Sequence, residues 1–209
     1  MGKKQHIINS INNADLGISK LTNKILNLEG LSSYKIRHLL NNLLELDDVN
    51  YLEIGTWKGS TLTSALFNNK VKNVYAIDNW SEFDKSGEVK KQFLKNTKDF
   101  NFEFFEEDCY SIKLEQITHP INIFLYDGAH DYDSHYNALT YFYPVLADQF
   151  IFIVDDFDPV PSWQQVEKAT RDSIRDLKLK IIYEKHIPSN GRNDKNSWWN
   201  GYYVSLLKK

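Results

Sequence analysis

Short apolar runs alternate with stretches of helical periodicity along most of this chain, and that alternation limits the folds open to it. Seven runs have the length and composition of β-strands, at residues 51–54, 74–77, 102–105, 121–126, 150–154, 180–183 and 202–207. Helical patterns lie between most of them, at residues 61–67, 89–97, 132–146 and 163–177. Strands that alternate with helices are typical of α/β domains with a mostly parallel sheet. The pattern therefore predicts a seven-stranded α/β domain over residues 49–209, with helices on both faces of the sheet.

The last two predicted strands differ from the first five. The first five are apolar throughout, as expected of strands that are covered on both faces. The last two are joined by a long loop, residues 188–200, and one of them is expected to run antiparallel. The aromatic segment at residues 198–203 has two interpretations: it either lines a ligand pocket or anchors the final hairpin in the core.

Residues 1–48 are predicted to form a helical cap that belongs to the same domain. Ile18, Leu21, Ile25 and Leu28 recur at helical spacing, and Gly30 interrupts the pattern. Ser32 or Ser33 then offers a cap for a second helix. The apolar face of this second helix is formed by Ile36, Leu39, Leu40, Leu43 and Leu44.

Composition excludes several classes of protein. The 209 residues include 25 Lys and Arg against 28 Asp and Glu, so the basic surplus of a nucleic-acid-binding protein is missing. The single cysteine, Cys109, excludes an intramolecular disulfide and a cysteine-based zinc site. No apolar run is long enough to span a bilayer or to form a secretory signal. We expect a cytoplasmic protein without nucleic-acid or membrane partners; an exposed apolar face on its N-terminal helices would favour a homodimer.

Acidic residues stand at or just after the ends of the first five predicted strands. They are Glu53, Asp78, Asp108, Asp127 and the pair Asp155 and Asp156. Parallel strands end at one edge of the sheet, and ligands of such folds bind at that edge. The acids are therefore expected to surround one binding site.

The first strand runs into the segment E-I-G-T-W-K-G-S-T, residues 53–61. Gly55 allows a sharp turn and a close approach to a ligand, and Gly59 allows the next helix to start close to the strand. Ser60 or Thr61 is expected to cap that helix. The acid before the loop disfavours a phosphate and favours a cationic or amine-bearing ligand, unlike the G-x-G-x-x-G of dinucleotide sites. The predicted ligand-binding residues here are Glu53, Gly55, Thr56, Gly59, Ser60 and Thr61; an ordinary βα turn with two glycines is the alternative.

The second and third strand ends offer groups for a nucleoside. Asp78 follows the glycine loop by roughly 20 residues, where a carboxylate can accept both ribose hydroxyls. Asn79 and Trp80 come next, and the Trp80 ring either walls the base or packs in the core. Asp108 and Cys109 could receive the exocyclic amine of adenine, although an acidic run is also typical of a solvated loop.

The fourth and fifth strand ends indicate a metal site. Asp127, Asp155 and Asp156 would lie on neighbouring strands, where close carboxylates raise one another's pKa. A hard divalent cation, Mg²⁺ or Mn²⁺, compensates such a cluster; alternatively, one carboxylate caps the following helix. His130 is placed to take a proton from a hydroxyl. Asp131, Asp133 and His135 are nearby residues that could do this instead. Alternatively, His130 has only a structural role.

Together these segments resemble the three cofactor motifs of class I S-adenosylmethionine-dependent methyltransferases. The D-G-A-H segment at 127–130 and the later Asp pair are similar to the metal-dependent small-molecule O-methyltransferases of the macrocin O-methyltransferase type. The resemblance covers about residues 48–207. It implies a Rossmann-like methyltransferase fold that binds S-adenosylmethionine through the glycine loop, Glu53, Asp78 and Asp108.

The same resemblance implies a reaction. Asp127, Asp155 and Asp156 would hold Mg²⁺ or Mn²⁺, with Asp127 and His130 as catalytic residues. The acceptor would be a hydroxyl of a small molecule or saccharide. Two alternatives share the cofactor motifs: a methyltransferase that needs no metal, and a non-catalytic module that binds S-adenosylmethionine.

Overall fold

A seven-stranded sheet forms the centre of the computed structural model, which describes residues 2–81, 84, 86–158, 164–192 and 194–209. The strands are β1 (Asn50–Ile54), β2 (Asn73–Ile77), β3 (Glu103–Phe105), β4 (Ile121–Tyr126), β5 (Leu146–Asp155), β6 (Lys180–Ile187) and β7 (Tyr202–Lys208). Their order across the sheet is β3-β2-β1-β4-β5-β7-β6. All seven predicted strands are confirmed, with shifts of a few residues at their ends.

Strand direction follows the predicted division between the first five strands and the last two. The pairs β1–β2, β2–β3, β1–β4 and β4–β5 are parallel. β7 runs antiparallel to both of its neighbours, β5 and β6. Strand order reverses direction between β1 and β4, so the carboxyl ends of these two strands flank the switch point where ligands bind in such sheets.

Seven α-helices accompany the sheet in the described parts of the chain. They are α1 (Lys3–Asp15), α2 (Asn23–Leu26), α3 (Tyr34–Leu43), α4 (Ser60–Leu66), α5 (Glu88–Thr97), α6 (Tyr132–Phe142) and α7 (Val166–Asp176). The predicted helix at 132–146 ends early, because Pro144 lies in a 3₁₀ turn (Tyr143–Val145) from which β5 starts. Residue 163, the predicted start of the last helix, lies outside the described residues.

The cap contains one helix that the sequence pattern placed wrongly. Residues 18–28 do not form a continuous helix; α1 covers residues 3–15 instead, and α2 has only four residues. Gly17 has a φ of +70°, which ends α1, and Ile18 is 54% exposed rather than packed. The second predicted helix is confirmed as α3, and Ser33 is its cap, since Ser33 Oγ accepts from the Ile36 amide at 3.2 Å.

Helices cover both faces of the sheet, as predicted. Buried side chains of α1, α3, α4 and α5 pack in one core cluster against residues such as Ile123 and Ile153. Residues of α6 and α7 pack in a second cluster, against Phe124 and Phe152. Adjacent residues of one strand therefore reach opposite cores, as the period of a strand requires. Among the described residues, no helix is both long and apolar enough to cross a membrane.

Candidate active site

A cleft of about 500 Å³ lies over the carboxyl ends of the central strands. Nine predicted site residues line it: Gly55, Asp78, Asn79, Trp80, Asp108, Cys109, Asp127, His130 and Asp156. Six predicted residues are not part of its lining: Glu53, Thr56, Gly59, Ser60, Thr61 and Asp155. All six are buried next to the lining, so the fold divides the predicted site into a cleft surface and a supporting layer.

Gly55 brings two strand ends together. Its φ is +85°, in the region that favours glycine. A Cβ at this position would lie 1.8 Å from the carbonyl oxygen of Asp127. The glycine therefore lets the loop after β1 pass directly against the loop after β4, where the two halves of the cleft meet.

Gly59 allows close packing, as predicted, but against a different partner. A Cβ there would lie 2.8 Å from Thr97 Cγ2 and 3.0 Å from the Phe93 ring. The glycine thus brings the start of α4 close to α5 rather than to a strand. Gly59 is also the N-cap residue of α4, with no side-chain cap, so capping by Ser60 or Thr61 is a wrong prediction.

Glu53 joins β1 to α4 beneath the cleft. The carboxylate is fully buried and accepts from Tyr51 Oη at 2.7 Å and from Thr61 Oγ1 at 2.6 Å. Burial raises the pKa of Glu53 to about 7, although the two hydroxyl donors oppose the rise. The predicted ligand acid is therefore held by this chain's own hydroxyls.

Asp78 fixes the glycine loop and still faces the cleft. Its Oδ2 accepts from the Trp57 amide at 2.7 Å, and its Oδ1 accepts from the Trp80 amide at 2.7 Å. Oδ2 also accepts from Thr56 Oγ1 at 3.4 Å, whereas Oδ1 has one bond and retains a second lone pair for a ribose hydroxyl.

Trp80 is mainly a core residue. Its ring lies 5.4 Å from Phe93 and 5.2 Å from Phe104, and its Nε1 donates to the Trp57 carbonyl at 2.9 Å. The Trp80 ring therefore packs mainly in the core, although the residue also contributes to the cleft lining.

The loop after β3 carries a residue that the sequence analysis missed. Asp108 is exposed, and Cys109 is half-buried; burial, together with Asp108, raises the pKa of the Cys109 thiol to about 12. The missed residue, Tyr110, bonds through its hydroxyl to Tyr126 Oη at 3.2 Å and to the Ser134 carbonyl. Tyr110 thus ties the loop after β3 to the start of α6. The signal was a tyrosine directly after the predicted adenine-binding pair.

Asp127, His130 and Asp156 come together on the other side of the cleft. Each residue offers one atom that could bind a metal ion, and these three atoms lie within 4.8 Å of one another. His130 Nε2 lies 2.5 Å from Asp156 Oδ2, and Asn200 Nδ2 donates to Asp156 Oδ1 at 2.5 Å. Asp156 has a φ of +54°, a strained value for a non-glycine residue that turns the chain at the end of β5.

The predicted ligand Asp155 lies outside this group of three. It is 5% exposed, and its Oδ1 accepts from the Asp156 amide at 2.8 Å. Asp155 is paired with Tyr202 across the β5–β7 ladder, and the Tyr202 hydroxyl is buried without a hydrogen-bond partner among the described residues. Asp155 therefore supports the turn that presents Asp156.

The acids form a cluster in which carboxyl groups lie close to one another. Burial raises the pKa of Asp127 and Asp155 well above its ordinary value, and neighbouring carboxylates add to the rise. Within the described ranges, no lysine or arginine forms an ion pair with Asp127, Asp155 or Asp156. Carboxylate oxygens in this number are the ligands that Mg²⁺ and Mn²⁺ prefer, so the residues fit such a cation.

Two of the other residues considered as the base, His135 and Asp131, have structural positions. His135 is 1% exposed and does not line the cleft; burial lowers its pKa to about 3, so its ring is neutral. Asp131 caps α6 by accepting from the Ser134 amide at 2.9 Å. His130 is the residue among them that both lines the cleft and contacts a second acid.

Both interpretations of the aromatic segment hold, for different residues. Trp198 is buried and its Nε1 donates to Asp15 Oδ1 at 3.0 Å, which anchors the segment to the cap. Trp199 and Asn200 line the cleft. Leu31 and Trp57 also line it, and no motif pointed to Leu31.

The strand order, the reversed seventh strand and a cleft at the carboxyl ends of β1 and β4 define the Rossmann-like fold of the methyltransferases. Residues 52–157, about half of the chain, match the sequence profile of the family described as "Methyltransferase domain". The chain belongs to this family, and it is a methyltransferase.

The chain is also similar to individual proteins, and the solved structures among them share its fold. An uncharacterized protein (R132) of Acanthamoeba polyphaga mimivirus is 27% identical over 160 residues, which is 72% of each chain. Among solved structures, an O-methyltransferase from Bacillus cereus in complex with SAH has a TM-score of 0.59 at 12% identity, over 99% of this chain and 90% of that one. A putative RNA methyltransferase from Pyrococcus horikoshii has a TM-score of 0.57 at 13% identity, over 100% and 97%. The chain spans about half the length of several other matched structures.

Proposed function

We propose that this chain is an S-adenosylmethionine-dependent O-methyltransferase of the macrocin type that uses Mg²⁺ or Mn²⁺ and acts on a hydroxyl of a small molecule or saccharide. The observation that carries the proposal is the grouping of Asp127, His130 and Asp156 in the same cleft as the glycine loop and Asp78. A methyl donor at the glycine loop and a hydroxyl held at the acidic group would share one cavity.

The cofactor half of the proposal rests on Gly55, Asp78 and Asp108. Asp78 Oδ1 has a free lone pair for a ribose hydroxyl, and Asp108 lies at the next strand end for the adenine amine. When bound, S-adenosylmethionine supplies a sulfonium-activated methyl group, so the protein is required mainly to bind and orient. The buried Glu53 beneath the loop is next to this region but is held by Tyr51 and Thr61.

The acceptor half rests on the acidic group. Asp127 and Asp156 would hold the cation, and Asp155, from its place behind Asp156, is the further predicted ligand. A divalent cation at these residues supplies Lewis acidity that lowers the pKa of a bound hydroxyl.

His130 is the proposed base. Its Nε2 is held 2.5 Å from Asp156 Oδ2, and a carboxylate partner of this kind orients an imidazole. A neutral His130 would therefore take the proton of the acceptor hydroxyl as the oxygen attacks the methyl group.

One observation also favours a methyltransferase that needs no metal. The contact between His130 and Asp156 already forms a base and its orienting acid without any cation. This is the second candidate function.

Calorimetric titration with S-adenosylmethionine and its demethylated product, in Mn²⁺ and then in EDTA, tests the proposal. We expect binding of both, a separate Mn²⁺ site, and methyl transfer to a polyhydroxyl panel that EDTA abolishes. Asp127→Asn should lose the Mn²⁺ site. Asp133→Asn is the matched control, because Asp133 is an exposed acid nearby that does not line the cleft.

Three results would change the conclusion. Methyl transfer that EDTA leaves unchanged would select the metal-independent candidate. Mn²⁺ binding that survives in Asp127→Asn would remove the proposed metal site. Failure to bind either form of the cofactor would reject the whole proposal.

A further inference from the structure

The rim of the cleft is formed by two segments far apart in sequence. Leu31 contributes from the loop between α2 and α3, and Trp199 from the loop between β6 and β7. Trp57 of the glycine loop also lines the cleft. We infer that these three residues form an apolar wall for the acceptor, so that the acceptor carries an aromatic or other apolar face beside its reacting hydroxyl. This inference rests on the proposed function.

Arg37 holds the loop that presents Leu31. Its guanidinium is 2% exposed and donates to the carbonyls of Leu26 and Leu28 at 2.8 and 2.7 Å, and to Ser32 Oγ at 2.9 Å. These bonds flank Leu31 on both sides in sequence. A buried guanidinium with three protein acceptors fixes a loop that has no regular secondary structure of its own.

Gly30 brings the same loop against the glycine loop. A Cβ on Gly30 would lie 1.9 Å from Ser60 Oγ, at the first residue of α4. Glu29 also forms an ion pair with Lys58, whose ammonium lies 4.5 Å from the centre of the Trp57 ring. Leu31 is therefore held beside Trp57 by contacts on the residues next to it.

The Trp199 loop is joined to the cap as well. The Tyr34 amide donates to the Lys195 carbonyl at 2.8 Å, and Trp198 Nε1 donates to Asp15 Oδ1 at 3.0 Å. The two segments thus form one connected rim.

The position of Trp199 assigns the wall to the acceptor rather than to the cofactor. Its neighbour Asn200 donates to Asp156 Oδ1 at 2.5 Å, so Trp199 borders the acidic group. The nucleoside-binding residues Asp78 and Asp108 follow β2 and β3, on the other side of β1. A molecule whose hydroxyl reaches the acidic group would extend toward Trp199 and Leu31.

Exposure of Leu31 leaves its side chain available to a ligand in the cleft. Leu31 is 55% exposed although the residues around it are fixed, and burial of an exposed leucine by an apolar group is favourable. Aromatic rings such as Trp57 and Trp199 bind flat apolar faces in the same way.

Two matched pairs of probes test the wall in the presence of the demethylated cofactor and Mn²⁺. The pairs are catechol with 4-phenylcatechol, and methyl β-D-glucopyranoside with phenyl β-D-glucopyranoside. In at least one pair we expect the phenyl member to bind about tenfold more tightly, measured by calorimetry. Leu31→Ala and Trp199→Leu should each lose most of that gain and keep cofactor and Mn²⁺ binding. Leu94→Ala is the matched control, because Leu94 is also 55% exposed but lies on α5, outside the cleft lining.

The possible results separate this inference from the proposed function. Equal affinities within both pairs, or no binding of any probe by a protein that binds cofactor and Mn²⁺, would overturn the apolar wall and leave the proposed function intact. A phenyl gain that survives in Leu31→Ala and Trp199→Leu, or that disappears equally in Leu94→Ala, would also overturn it. Loss of cofactor binding by the unmodified chain would overturn both.

Discussion

Replacing Glu53 by glutamine should remove a pH dependence of stability that this buried acid imposes. Glu53 is fully buried, and burial raises its pKa from the ordinary 4.5 to about 7. The folded chain thus binds a proton on Glu53 more tightly than the unfolded chain does. The stability that protonated Glu53 contributes is complete below pH 4.5 and is lost as the pH rises to about 7.

The size of the effect follows from the pKa. A tenfold change in proton affinity corresponds to about 1.4 kcal/mol, so the loss between these pH values is on the order of 3 kcal/mol. A glutamine side chain would resemble the protonated acid in shape and charge, and its oxygen could still accept from Thr61 Oγ1. We therefore expect Glu53→Gln to be the more stable protein above pH 7 and to approach the unmodified chain near pH 5.

Urea unfolding followed by tryptophan fluorescence, from pH 5 to pH 8.5, measures this difference. The comparison with the unmodified chain at each pH cancels the contributions of acids whose pKa does not depend on Glu53, Asp155 among them. Glu115→Gln is the control, because Glu115 is an exposed acid far from this group in the sequence. Its unfolding free energy should follow that of the unmodified chain.

A second variant tests the same reasoning from the opposite side. Thr61 Oγ1 donates to Glu53 at 2.6 Å, and this bond lowers the pKa of the acid. Thr61→Val should therefore shift the loss of stability to higher pH. A difference between Glu53→Gln and the unmodified chain that stays constant from pH 5 to pH 8.5 would refute the account, because Glu53 would then have the same pKa folded and unfolded.

Three further variants have defined outcomes. Gly55→Ala would place a methyl group 1.8 Å from the Asp127 carbonyl oxygen at a φ of +85°; we expect a loss of about 2 kcal/mol or more and a melting temperature lower by about 4–8 °C in a thermal scan. Tyr110→Phe removes the hydroxyl that joins the Ser134 carbonyl, and urea unfolding should show a loss of about 1–2 kcal/mol; an unchanged midpoint would contradict the role given to Tyr110. Asp127→Asn in EDTA should be more stable than the unmodified chain above pH 7, because burial raises the pKa of Asp127; equal stability at pH 8 would contradict this.

Sheet and strand ends were predictable because each depends on local sequence. A buried parallel strand needs a continuous apolar run, and the acid after it marks the edge of the sheet. The cap was not predictable in the same way. The buried face of α1 includes His6 and Ser10, whose polar atoms bond to the carbonyls of Leu43 and His6, so the apolar pattern of this helix is incomplete. Ile18 and Leu28 have helical spacing, but Gly17 ends the helix before them.

The sequence indicated which residue types form the candidate site, but it indicated less about how their side chains are arranged. The alternation of side chains along β5 and the turn at its end decide which acid of the pair enters the cleft. A φ of +54° turns Asp156 into the cleft, while Asp155 stays with the buried face of the sheet. The contact of His130 with Asp156 and the position of Leu31 depend on how separate loops meet, and no local pattern records that.

The arrangement of the acids explains why the buried Glu53 and the cleft residue Asp127 differ in their need for a positive charge. Register places Glu53, Asp127 and Asp155 on one face of three neighbouring strands, since Glu53 is paired with Leu125, and Leu125 with Ile153. Glu53 has two hydroxyl donors, so it can stay in the core without a cation. Burial and four neighbouring acids raise the pKa of Asp127, and a carboxylate in that position is costly unless a positive charge binds it. The same row of acids thus supports the fold at β1 and offers carboxylate ligands for the proposed cation at β4, which is where the proposed reaction would occur.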